Sequence, residues 1–170
     1  MPVKGKQKGN NFEIEVGQWL SWWITHKTRN DIFCRTVLSG GQFTATAKGQ
    51  AGDLQPNDGL AFPFCNKFVI ECKCWEYLYL IDFLNKKGDL YFALKKVQEQ
   101  AEGLKKKWIL IARQSRKPIL AFFEKPITPF TLPYLSRIEP HFLWSDSICM
   151  VDFVKLTEVV PHEYFLTMYN

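Results

Sequence analysis

A chain of 170 residues, 46% hydrophobic and 23% charged, has the length of one ordinary domain and is too apolar for wholesale disorder. The formal net charge of +5 permits a polyanionic partner without demanding one. The five cysteines are an odd number, the opening residues are polar and lysine-bearing, and no apolar run approaches a membrane span; these features predict an intracellular, cytoplasmic protein with free thiols and exclude disulfide scaffolds, secreted mini-domains and membrane-spanning chains.

The first element is a helix over Asn11–His26. Phe12, Val16, Trp19, Leu20 and Trp23 recur at helical spacing, Asn10 or Asn11 is positioned to cap it, and Glu13 and Glu15 suit its first turn. Trp22 falls off that stripe. Asn30-Asp31 marks a turn, Ile32–Leu38 reads as a strand, Ser39-Gly40-Gly41 as a hairpin turn, and Gln42–Ala47 as the return strand. Gly49 to Gly59 reads as irregular and closes on the turn Asn57-Asp58-Gly59.

Lys67–Trp75 is the clearest strand. Its even positions Phe68, Ile70, Cys72 and Cys74 form a core face. The period of two then places Glu71 and Lys73 together on the other face, roughly 7 Å apart. Tyr77 to Leu84 fits a helical turn or a lid. Asp89 to about Lys105 reads as a helix capped by Asp89, with Leu90, Ala93, Leu94, Val97, Ala101 and Leu104 on one stripe. Trp108–Ala112 and Ile119–Phe123 are buried-type strands joined by a basic turn. Four prolines between Pro126 and Pro140 predict loops, Ile148–Val154 a last strand, and the remainder a short tail. The order predicts an α/β (α+β) fold, a mixed sheet with helices packed against it.

One constellation carries chemistry: Glu13 or Glu15 on the first helix, Asp53, then Glu71-Cys72-Lys73 on the strand. Hard carboxylate oxygens hold Mg²⁺ or Mn²⁺ against a phosphate, the Cys72 backbone carbonyl is available as a further ligand, and a lysine on the same face can orient or deprotonate water and offset charge on phosphorus. Asp58 is the alternative to Asp53, but its place between Asn57 and Gly59 suits a turn. Cys65, Cys72 and Cys74 contain no C-x-x-C pair, so they do not predict zinc. His26, His141 and His162 are scattered and predict helix-end or surface roles.

Asp53, Glu71 and Lys73 match the D…ExK signature of the PD-(D/E)XK nuclease superfamily, and Lys8-Gly9-Asn10-Asn11-Phe12-Glu13 resembles the K-G-x-x-x-E opening of archaeal and phage-type Holliday-junction resolvases within it. The resemblance covers roughly Lys8 to Phe123. Gly52 stands where the superfamily often has proline. The resemblance implies a restriction-endonuclease-like αβββαβ core over about 8–123, an irregular extension over 124–170, and a single nuclease domain. It implies Asp53, Glu71, the Cys72 carbonyl and Glu13 as metal ligands, Lys73 as the catalytic lysine, and Gln98 or Gln100 as a further site residue. The implied activity is Mg²⁺-dependent DNA endonuclease, with Mn²⁺ able to substitute and no small-molecule cofactor. The expected substrate is branched DNA, cut by a homodimer and gripped by Lys4, Lys6, Lys8, Arg113, Arg116 and Lys117. Another nuclease on the same core, in restriction, repair or recombination, and a non-catalytic nucleic-acid-binding module are the alternatives.

Overall fold

The structure, a computed structural model, describes residues 4–36, 51–125, 141–143, 148–167 and 169. Helix α1 spans Lys4–Ile24 and buries Phe12, Val16, Leu20 and Trp23. It begins well before the expected Asn11, because nothing from Lys4 onward stops it except two tolerated glycines. Asn10 and Asn11 therefore lie inside the helix and do not cap it. Trp19 packs half-buried against the same core, and Trp22 stands edge-on to it.

Strand β1, Phe33–Arg35, pairs antiparallel with β2, Leu54–Pro56. The expected return strand at Gln42–Ala47 and the hairpin turn before it lie outside the described residues. Among the described residues the partner of β1 comes from the stretch expected to be irregular. Pro56 disguises that strand in the sequence, yet it sits at the last position of the short ribbon, where a missing N–H is tolerated. Asp58 then caps a single 3-10 turn, Gly59–Ala61, by accepting from Leu60 N, and helix α2 follows over Phe62–Lys67.

Strand β3, Phe68–Trp75, lies parallel to β4, Lys107–Gln114. Between them run α3, Leu80–Leu84, and α4, Gly88–Gly103. The residue preceding α4 is Lys87, so Asp89 is not its cap; it sits in the first turn, where its charge complements the helix dipole. β5, Ile119–Glu124, pairs antiparallel with β4, β7, Ile148–Asp152, with β5, and β6, His141–Leu143, with β7. The five strands run β3-β4-β5-β7-β6 in a mixed sheet. The last strand stops at Asp152 rather than Val154. The Asp152 carboxylate accepts from Lys155 N at 3.0 Å and caps a helix, α5, Phe153–Val159; α6, His162–Thr167, follows. The expected tail is thus largely helical.

Both faces of the sheet are buried. Ile70, Cys72, Ile109, Ile111, Ala121 and Phe123 meet α1, α2, α5 and α6; Val69, Leu110, Ala112 and Phe122 meet α3 and α4. Phe165 of α6 is fully buried against Phe64, Phe68 and Phe123. A phenylalanine buried this way contributes roughly 1.5–3 kcal/mol, so the C-terminal helices belong to the core. This is an α+β fold with a mixed sheet between helices, consistent with the restriction-endonuclease-like core. Among the described residues no helix is long and apolar enough to cross a membrane.

Candidate active site

β3 stands at the edge of the five-stranded sheet, and among the described residues its outer side pairs with the chain at Gly52, through a parallel bridge to Ile70. That approach positions Asp53. Its N–H donates to Ile70 O at 2.7 Å, its own carbonyl accepts from Thr36 N at 2.9 Å, and its Oδ2 accepts from Cys72 N at 2.8 Å. Backbone and side chain are therefore both fixed against β3. Gly52 makes this possible with φ of +91°, and a Cβ there would lie 2.4 Å from Ile70 O. Proline, whose φ is locked near −65°, could not take this conformation.

Three oxygens converge on one point beside β3. Lys73 Nζ donates to Glu71 Oε1 at 2.6 Å, to Cys72 O at 3.1 Å and to Asp53 Oδ2 at 3.2 Å. The Glu71 and Asp53 side chains are only 4% and 9% exposed, so their charges are removed from water and need a cation. Burial opposes the Lys73 ammonium, but Asp53 and Glu71 outweigh that and raise its pKa. Lys96 of α4 brings a second ammonium to 3.9 Å from Glu71 Oε1. Two carboxylates and a carbonyl are hard donors of the kind Mg²⁺ and Mn²⁺ take, and they already gather around a positive charge. The Cys72 side chain lies in the core, where burial raises its thiol pKa.

Glu13 and Glu15 go different ways. Glu15 pairs with Arg113 at 2.8 Å. Glu13 is buried and lies close enough to Asp53 and Lys73 to feel both charges. It pairs with Arg35 Nε at 2.5 Å, and Arg35 Nη2 also donates to Asn10 Oδ1 at 2.8 Å. Burial raises the Glu13 pKa, Arg35 works against that, and Asp53 adds to the rise. The proton is thus held more tightly in the folded state than in the unfolded one. The stabilisation this gives is full below the ordinary value of 4.5 and is lost as pH rises through the raised value. Glu13→Gln mimics the protonated form. In metal-free buffer its melting temperature should gain on that of wild type from about pH 4 upward and then level off. A gap that stays flat across that window would mean that Glu13 carries no such penalty.

Among the described residues no hydrogen bond or ion pair joins Gln98 or Gln100 to this cluster. Gln100 lies one turn beyond Lys96 on the same face of α4, and its Oε1 is buried with no hydrogen-bond partner among the described residues. Gln98 is on another flank. Asp58 lies in the capped turn and pairs with Arg29 at 2.7 Å, away from the cluster. Lys8, Arg113 and Arg116 border one surface hollow with Cys74, Glu76 and Ser115, and Lys8 donates to both Glu76 and Ser115. Lys117 is exposed in the same β4–β5 turn. Lys4 and Lys6 lie in the first turns of α1. Arg35 and Lys96 belong to no motif in the sequence; the packing of β1 and α4 brings them in.

A family profile described as phage putative PDDEXK endonuclease matches residues 4–130. No curated protein matches the chain. No solved structure matches it either.

Proposed function

The chain belongs to this PDDEXK endonuclease family, and on that footing we propose that it is a divalent-metal-dependent DNA endonuclease selective for branched duplexes, acting as a homodimer. The observation that carries the chemistry is the convergence of Asp53 Oδ2, Glu71 Oε1 and Cys72 O on a single cationic position. Mg²⁺ or Mn²⁺ held by these three oxygens, with Glu13 beside them, would polarise a phosphoryl oxygen and acidify a bound water.

The remaining work falls to the protein. With its carboxylate partners engaged by a metal, the Lys73 ammonium would be free to face the phosphate, where it would orient the attacking water and offset charge on phosphorus. Arg35, itself anchored by Asn10, holds Glu13 in place. Lys8, Arg113 and Arg116 line a hollow with Cys74, the residue after Lys73, and together with Lys117 suit phosphates of a duplex, which would draw Lys8 and Arg113 from Glu76 and Glu15. Two symmetric cuts in a branched substrate call for a two-fold dimer. Tyr77, Tyr79, Ile81, Leu84 and Phe92 leave an exposed apolar surface around α3 and α4 that suits such an interface.

Labelled linear duplex, flap and four-way junction, each incubated with protein and Mg²⁺, Mn²⁺ or chelator, test this reading. Junction cleavage with metal alone, affinity that falls steeply with salt, and light scattering at about twice 19.9 kDa are expected. Equal cleavage of linear duplex would assign a general nuclease. Metal-independent binding without cleavage of any substrate would assign a binding module.

A further inference from the structure

His26, His162 and Glu163 are remote from the nuclease centre and meet where the turn after α1 faces the start of α6. His26 Nε2 lies 3.6 Å from Glu163 Oε1, and His162 Nδ1 lies 3.3 Å from Glu163 Oε2. One ligand atom from each of the three falls within 4.8 Å of the others. The imidazole rings approach to 5.4 Å between centroids.

These separations are longer than the ~2.7–3.2 Å of an N–H···O hydrogen bond. His162 Nδ1 is indeed buried with no hydrogen-bond partner among the described residues. The two N···O separations instead approach those of a coordination sphere, with one ligand atom from each residue gathered within 4.8 Å. Metal–ligand bonds of about 2.0–2.2 Å in tetrahedral geometry place neighbouring ligand atoms roughly 3.3–3.6 Å apart. Two imidazole nitrogens and one carboxylate suit Zn²⁺ and its transition-metal neighbours, and differ in kind from the all-oxygen cluster at Asp53 and Glu71.

The site is also held without a metal. Trp23 Nε1 donates to Val160 O at 2.6 Å, tying α1 to the residues just before His162. Phe165 anchors α6 in the core. His26 takes the left-handed backbone conformation, with φ of 51°. A groove lined by Trp19, Trp22, Lys27 and Val160 adjoins the two histidines, leaving space for a fourth ligand such as water.

We propose that His26 Nε2, His162 Nδ1 and the Glu163 carboxylate bind a Zn²⁺-class ion that fastens α6 to the end of α1. The test uses the metal-stripped full chain, Zn²⁺ titrated by calorimetry, and Co²⁺ as a spectroscopic probe. Wild type should bind one Zn²⁺ at this site, melt at a higher temperature when loaded, and give Co²⁺ the intense visible bands of tetrahedral coordination without thiolate charge transfer. His26→Asn keeps a residue at home in the left-handed region, and Glu163→Gln keeps shape; each should weaken Zn²⁺ at least tenfold and abolish the tetrahedral spectrum. Asp53→Asn should leave both signals intact, which separates this site from the nuclease centre. Unchanged Zn²⁺ affinity in His26→Asn and Glu163→Gln, an octahedral or thiolate Co²⁺ spectrum, or loss of the signal in Asp53→Asn would overturn the proposal, as would absence of Zn²⁺ binding in wild type.

Discussion

Glu71→Gln and Asp53→Asn should each lower Mg²⁺-dependent DNA cleavage by about a thousandfold or more, roughly 4 kcal/mol of transition-state stabilisation. Each change removes one negative charge from the oxygens that gather beside β3, and with it the strongest attraction for a divalent ion. The fold should survive both. In the first variant the new amide oxygen can still accept from Lys73, and in the second it can still accept from Cys72 N, so neither existing donor loses its acceptor. In chelator, Asp53→Asn should be as stable as wild type or gain about 1 kcal/mol, since like charges are crowded there. DNA binding without metal should persist in both variants. Wild type should gain melting temperature from Mn²⁺ and the variants should gain less. Retained cleavage in both would discard the site. Strong destabilisation of Asp53→Asn, with no metal response in wild type, would mean that the acids serve the fold alone.

Gly52→Ala should cost about 3 kcal/mol or more of folding stability and most of the activity. The added methyl would sit 2.4 Å from Ile70 O and 2.9 Å from Ile70 N. Those atoms belong to a strand buried on both faces, so they cannot yield as the end of a flexible side chain would. The residue must also keep φ of +91°, which costs an L side chain a further ~1 kcal/mol or more. The segment would retreat, and Asp53 would lose Ile70 O and Cys72 N together. Denaturant unfolding measures the first effect, and single-turnover cleavage the second. A variant within about 1 kcal/mol of wild type would show that residues 52–53 do not run against β3.

The parts of the site that lie on one element are legible in the amino-acid sequence. Alternation along Phe68–Trp75 places Glu71 beside Lys73, and that needs only the period of a strand. Asp53 follows from the D…ExK resemblance, whereas the reason for glycine before it emerges only from the approach to Ile70. The choice between Glu13 and Glu15 is beyond periodicity, because both flank the same stripe; Arg35 and Arg113, drawn from distant strands, separate them. Short elements are the least legible. β2 contains a proline, and α5 and α6 are too brief to establish a 3.6-residue period, although Asp152 three residues before Lys155 is a readable cap. His26 and His162 look scattered along the chain because their proximity is a product of folding alone.

The contacts of Asp53 have a bearing on solubility as well as chemistry. A terminal strand of apolar residues is a template on which another molecule can add a strand, the first step of edge-to-edge aggregation. Along the outer side of β3, Ile70 O is taken by the Asp53 amide and Cys72 N by the Asp53 carboxylate. A buried negative charge stands against the strand, and the Lys73 side chain folds over the next carbonyl. An incoming β-strand would have to displace both. The cluster that suits a metal therefore also blocks illicit pairing along the strand that carries it, and chains that lose Asp53 to an apolar residue should precipitate more readily than their loss of folding stability alone accounts for.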